Sequence, residues 1–281
     1  MKLTTIHTGF FKLDGGAMFG VVPKSLWNRL NPADEANLCT WSMRCLLIET
    51  GDRKILVDTG LGNKQDEKFM SHFQPHGPYS LLGSLKNAGV NPRDITDVFL
   101  THLHFDHVGG AVTKTEGDDL LPTFPNATYW SNEKHYDWAY YPNEREKASF
   151  LKENFVPLRD HSQMQFLDLH EGEEWLPGIG VHTVKGHTDN MMYLELDYRE
   201  KKVYYCADLI PSAAHIRMPY VLAYDVRPLE TLKEKGYLLP KALSENAVLF
   251  FEHDREVECC TLTKDKRGRI VMDQTLTIDE V

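Results

Sequence analysis

The 281-residue sequence predicts an α/β protein of the α+β kind, with two β-rich halves packed face to face and helices outside. Three observations carry that expectation. Short apolar, β-prone runs recur along the chain, helical spacings interrupt them in both halves, and the second half repeats the alternation of the first. No linker, low-complexity tract or short fixed repeat intervenes, so one domain spanning 1–281 is expected.

Residues 3–11 read as a first strand. Runs 44–49 and 54–58, joined across Gly51-Asp52, read as a hairpin. Residues 78–88 have helical spacing and stop at Gly89, a usual helix end. A buried strand follows at 95–100, then a short one at 126–130. Aromatic and charged helical stretches come next at 131–141 and 143–154. In the second half the strands fall at 180–184, 191–196, 202–207 and 247–252, with a helix over 228–239. A terminal hairpin, 258–263 with 269–275, turns at 265–268.

Composition excludes several classes. With 42% hydrophobic, 11% aromatic and 26% charged residues, the chain is an ordinary globular protein. No apolar run approaches the ~18 residues of a membrane span, and residues 1–20 lack the apolar region of a signal peptide. A cytoplasmic location is therefore the expectation. Five cysteines without a C-x-x-C pair argue against disulfides and a thiolate zinc site; Cys45 and Cys206 fall in strand-like runs as core thiols. A net charge of −10, from 31 basic and 41 acidic residues, repels phosphate backbones and excludes nucleic acid as the expected partner. The basic cluster 264–269 reads as a solvated turn.

The run Thr101-His102-Leu103-His104-Phe105-Asp106-His107-Val108-Gly109-Gly110 carries the chemistry. Its His-x-His-x-Asp-His spacing follows an apolar strand. In extended chain His102 and His104 project to one side, since side chains alternate. Asp106 and His107 are expected at the strand end, aiming from another direction, so one short loop can serve two adjacent metal ions. Downstream, His187, Asp208 and His253 each close a strand-like run, where sites are usually assembled. Singly each is weak evidence; their shared placement makes the set strong.

These motifs, with Gly186-His187-Thr188, Ala207-Asp208, Glu252-His253 and the Val57-Asp58-Thr59-Gly60 turn, resemble the metallo-β-lactamase superfamily over nearly the whole chain. The resemblance implies a four-layer αβ/βα sandwich with a dinuclear metal site at one edge. It implies His102, His104 and His187 on one ion, Asp106, His107 and His253 on the other, Asp208 bridging, and Asp58 supporting the ligand loops. Imidazole and carboxylate donors suit Zn²⁺, Mn²⁺, Co²⁺ or Fe, and the resemblance favours two zinc ions. Asp208 stands where common zinc β-lactamases have cysteine, which argues against a penicillin-type substrate.

Such an ion pair lowers the pKa of a bridging water to about 7, giving a nucleophile for a carbonyl carbon. Asp106 and Asp208 are then the catalytic carboxylates, with Asp106 either shuttling a proton to the leaving alkoxide or acting as ligand only. The loop 14–24 and the segment 207–216 resemble the YtnP-type lactonase branch, related to N-acyl homoserine lactonases and methyl parathion hydrolase. That resemblance makes Met18, Phe19 and Val21 an apolar wall for an acyl chain, or else core residues. His215 is a hydrogen-bond donor to substrate or a helix cap; His135, Trp138, Tyr140 and Tyr141 line the pocket or form plain core. Pro211 occupies a place where several homoserine lactonases have tyrosine, which leans towards the phosphotriesterase-like and YtnP-type relatives.

The favoured function is hydrolysis of a small lactone or ester, N-acyl homoserine lactones first (a quorum-quenching activity). The alternatives are a promiscuous arylesterase or phosphotriesterase and a mononuclear iron persulfide dioxygenase. No membrane partner is expected, and a homodimer is compatible with the resemblance alone.

Overall fold

The computed structural model describes residues 1–170 and 173–281. In chain order the elements begin with β1 (Lys2–Asp14), α1 (Gly15–Phe19), α2 (Lys24–Trp27), β2 (Leu38–Thr50) and β3 (Arg53–Val57). There follow α3 (Glu67–Phe73), α4 (Leu81–Asn87), β4 (Asp97–Phe99), α5 (Phe105–Val108), β5 (Val112–Lys114) and β6 (Leu120–Pro122). Next come β7 (Thr128–Ser131), α6 (Glu133–Tyr140), α7 (Val156–Asp160), β8 (Met164–Phe166), β9 (Glu174–Leu176) and β10 (Ile179–Val184). The chain ends with β11 (Met191–Tyr198), β12 (Lys201–Tyr205), α8 (Pro228–Ser244), β13 (Val248–Phe250), β14 (Cys259–Lys264) and β15 (Ile270–Leu276). The α+β class is as the sequence predicts. No described helix is long and apolar enough to cross a membrane, and the five cysteines are buried thiols.

Contacts divide the chain into two compact units, Met1–Gly9 with Met43–Asp168 and Phe10–Ser42 with Leu169–Val281. The first carries a mixed sheet in the order β1-β2-β3-β4-β7-β8. β2 and β3 form the expected hairpin, pairing Leu46 with Val57. β3, β4, β7 and β8 then run parallel, which needs long crossovers carrying helices. The core gathers Leu56, Val98, Leu100 and Tyr129 with Leu103 and Val108 of the ligand motif. Burying Leu103 is worth about 2 kcal/mol, and it fixes the chain between two histidines whose own side chains bury little apolar area.

The second unit holds the sheet β15-β14-β13-β12-β11-β10-β9. Its strands are antiparallel except for the parallel pair β12–β13, which α8 connects. The helix starts with Pro228 at its N-terminus, where no donor is lost, and runs past Pro240 to Ser244. It continues five residues past the expected end at Leu239.

Several expectations are corrected. The charged stretch 143–154 is a series of turns with one 3₁₀ turn at Lys152–Asn154, and its Glu146 and Phe150 are buried, 3% and 4% exposed. The glycine-rich 14–24 segment is not a loop throughout: Asp14 caps α1 through Ala17 N at 2.9 Å. Helix α3 was not anticipated; none of its residues is buried.

Glu195 of β11 sits among Lys202, Lys241 and His182 at 2.9, 2.6 and 3.0 Å. Burial alone would raise its pKa, but hydrogen bonds from Lys202, Lys241 and His182 outweigh that and hold it at about 2. A carboxylate depressed on folding stabilises above its unfolded pKa and loses that contribution as pH falls through the folded value. The unfolding free energy of the wild type is therefore expected to fall between pH 4.5 and pH 2 by on the order of 2 kcal/mol more than that of Glu195→Gln. Urea unfolding at stepped pH checks this, and equal slopes would contradict it.

Candidate metal centre

In the first unit, β4 leads through Thr101 into the one-turn helix α5, so Asp106 and His107 stand on a helix rather than at a bare strand end. His102, His104, Asp106 and His107 are all buried. Behind them lies Asp58, at 0% exposure and with φ of 57°. Its carboxylate accepts from Thr101 N at 2.8 Å and Thr101 Oγ1 at 2.6 Å, and faces His107 Nδ1 at 3.1 Å. A non-glycine residue in the left-handed region is strained, on the order of 1 kcal/mol. Here three donors hold it.

Those contacts set the imidazole tautomers. His107 Nδ1 faces a carboxylate and must carry the proton, which leaves Nε2 with a lone pair. The Thr101 hydroxyl gives its proton to Asp58, so it accepts from His102 Nδ1 at 3.1 Å, and His102 Nε2 is likewise unprotonated. That atom lies 3.0 Å from His104 Nδ1, and Asp106 Oδ2 lies 3.9 Å from His107 Nε2.

The backbone is locked around this arrangement. Thr59 donates to the His107 carbonyl from N at 2.7 Å and from Oγ1 at 2.8 Å, and Lys64 Nζ donates to Gly109 O. A Cβ on Gly109 would stand 2.0 Å from Leu61 O, and one on Gly110 2.3 Å from Thr59 O. The glycine pair is what allows the ligand turn to lie directly on the 59–61 backbone.

In the second unit, His187, Asp208 and His253 form another buried cluster. Asp208 points Oδ2 at His187 Nε2 at 3.2 Å and Oδ1 at His253 Nε2 at 3.1 Å. The outer nitrogens are again tied: His187 Nδ1 to Asp225 Oδ1 at 3.0 Å, and His253 Nδ1 to Ser42 O at 2.7 Å. A carbonyl only accepts, so His253 Nδ1 carries the proton and Nε2 turns a lone pair towards a carboxylate. Asp225 is aimed by Val226 N to His187 O and Arg227 N to Gly186 O, at 3.1 and 2.9 Å. Gly186 permits that approach, since a Cβ there would stand 2.3 Å from Thr231 Oγ1. Ala207, just before Asp208, is also left-handed at φ 46°.

Lone pairs facing lone pairs at these distances repel unless positive charge lies between them. The donors are imidazole nitrogen and carboxylate oxygen with no thiolate, a set that fits zinc and related divalent ions. These histidines and aspartates are groups that could hold a metal ion.

Of the two readings of Met18 and Phe19, their burial matches the core one. Phe19 is 0% exposed, stacked between Trp27 at 5.1 Å and His215 at 4.9 Å, and Met18 is 1% exposed. Val21 is 91% exposed. His215 has both ring nitrogens engaged, Nε2 with Met18 O at 2.8 Å and Nδ1 with Ser212 Oγ at 2.7 Å. Burial lowers its pKa to about 3, so the ring is neutral. His135 accepts from Leu103 N at 2.9 Å, while Tyr141 is exposed. Sequence reasoning missed Asp225 and the Ser42 carbonyl, because each is remote in sequence from the histidine it serves. It also missed the contact of Phe105 with Phe69 and Phe73 of α3, at ring distances of 5.2 and 4.4 Å; the aromatic pair four residues apart was the available signal.

A profile of the metallo-beta-lactamase superfamily matches residues 44–253, and the chain belongs to that superfamily. The N-acyl homoserine lactonase of Bacillus cereus is 25% identical over 248 residues, covering 83% of this chain and 88% of that protein. A probable metal-dependent hydrolase from Staphylococcus aureus superposes with a TM-score of 0.86 at 27% identity over 98% of both chains. AidC, a dizinc quorum-quenching lactonase solved with its product, superposes with a TM-score of 0.78 at 20% identity, over 98% of this chain and 94% of that one. The protein is a metal-dependent hydrolase homologous to lactonases.

Asp58→Asn keeps a residue that tolerates the left-handed backbone but removes the acceptor shared by Thr101 and His107. Zinc retention against a competing chelator is expected to weaken by about 10- to 100-fold; wild-type affinity in this variant would contradict the role given to Asp58.

Proposed function

We propose that this chain is a dinuclear metal hydrolase that opens lactone rings, with N-acyl homoserine lactones as the preferred class. Its ligands are His102, His104 and His187 for one ion and Asp106, His107 and His253 for the other, with Asp208 serving both. Zinc is the first choice, with manganese, cobalt or iron as replacements. The observation that carries the reading is the set of inward lone pairs on His102, His107, His187 and His253, each fixed by a partner on the outer nitrogen. Bound divalent ions would supply Lewis acidity towards a carbonyl oxygen and a water acidic enough to ionise near neutral pH.

The chain's own groups do the rest. Asp106, buried and with one oxygen 3.9 Å from His107 Nε2, accepts the proton of the attacking water and returns it to the leaving alkoxide. Asp58 and Asp225 keep the imidazoles from turning, so little reorganisation is needed as charge develops. Phe105, between His104 and Asp106 in sequence, presents an aromatic surface with the half-buried Phe69 and Phe73. That surface suits the apolar chain of an acyl lactone and excludes water from the ligand turn.

The test is a screen of acyl lactones, aryl esters and phosphotriesters with protein of measured metal content. Two metal equivalents per chain and a preference for lactones are expected, and His104→Ala and Asp208→Ala should lose metal and hydrolysis together while remaining folded. Full activity in metal-free protein, or one iron per chain with oxygen consumption, would overturn the proposal.

Phe105→Ala is expected to lower kcat/KM on the order of tenfold for a long-chain acyl lactone, and much less for a short-chain one. Equal losses for both would remove the acyl-binding role.

A further inference from the structure

His104 differs from the other imidazoles. It turns Nδ1 towards His102 and Nε2 outward, where Glu146 Oε1 stands at 3.8 Å. Glu146 is 3% exposed, an expensive place for a carboxylate unless it is held. Its other oxygen accepts from Trp138 Nε1 at 2.8 Å and Asn143 Nδ2 at 2.5 Å. Asn143 Oδ1 in turn caps the turn that carries Glu146, accepting from Arg145 N and Glu146 N at 2.9 and 3.2 Å.

The same segment grips the ligand loop. Phe105 N donates to Ser149 O at 3.0 Å, and the Phe150 ring lies 4.7 Å from that of His104. From α6, His135 takes the Leu103 N–H at 2.9 Å. The backbone on either side of His104 is thus fixed by hydrogen bonds, and its outer nitrogen faces an anchored negative charge.

We propose that Glu146 is the positioning residue of His104: its carboxylate keeps the proton on Nε2, frees Nδ1 as the donor atom, and strengthens the ion that His104 binds. This rests on the metal reading above. An outer carboxylate fixes an imidazole tautomer and raises its basicity, and removing such a partner commonly costs 10- to 100-fold in metal affinity. Glu146→Gln keeps the shape and an acceptor for Trp138 and Asn143, but turns an amide N–H towards an imidazole N–H.

The experiment is zinc titration of the metal-stripped, full-length chain against a chromophoric chelator, resolving the two equivalents. In Glu146→Gln one equivalent is expected to weaken by about 10- to 100-fold and the other to keep its affinity, with the thermal midpoint of the metal-free protein unchanged. Glu146→Asp, which retains the charge, should recover part of the loss. Wild-type affinity for both equivalents, or equal weakening of both, overturns the proposal. Should Glu146→Gln not fold, Trp138→Phe removes one donor to the carboxylate, and the same two outcomes decide. Wild-type protein that binds no zinc overturns the metal reading itself, a result distinct from a failure of Glu146 alone.

Discussion

Imidazoles held by their outer nitrogens are the constraint on which the rest of this molecule depends. A histidine free to rotate or change tautomer is a poor ligand, because ordering it costs entropy and possible donor atoms compete. Here His102, His107, His187 and His253 each have Nδ1 occupied by a hydroxyl, a carboxylate or a carbonyl. In the second unit the inner nitrogens of His187 and His253 face the two oxygens of Asp208. Acceptors so close would repel; a cation held there, as proposed above, would relieve that repulsion.

The fold supplies the stiffness this needs, and some of it is strained. Asp58 and Ala207 both adopt left-handed backbone next to the clusters, and each conformation persists because surrounding hydrogen bonds and close packing over-determine it. Leu103 and Val108 enter the core of the first unit, so residues alternating with ligands act as anchors. In the second unit, His253 is tied to Ser42 twice over, through its ring and through Ser42 N to His253 O at 3.1 Å.

The parts legible in the sequence were those written locally. Four donors within six residues, a hairpin across Gly51-Asp52 and donors at strand ends need no tertiary information to be noticed. Partners that orient a ligand are another matter: Asp225 lies 38 residues from His187, and the Ser42 carbonyl 211 from His253. No residue type marks them. Charge patterning misled at 143–154, where a buried Glu146 looks the same in sequence as a solvated one. Apolar character left two readings open at Met18 and Phe19, since a residue that lines a pocket and one that fills a core share the same chemistry. The stacking of Phe19 on Trp27 and His215 is a property of the packed chain alone.

The most direct measurement is anomalous diffraction at the zinc edge from crystals of the metal-loaded protein. Two peaks are expected, with Nε2 of His102, His107, His187 and His253 and Nδ1 of His104 at about 2.0–2.1 Å from an ion. Ions bound through the opposite nitrogens, or no ordered ion at these residues, would contradict that expectation.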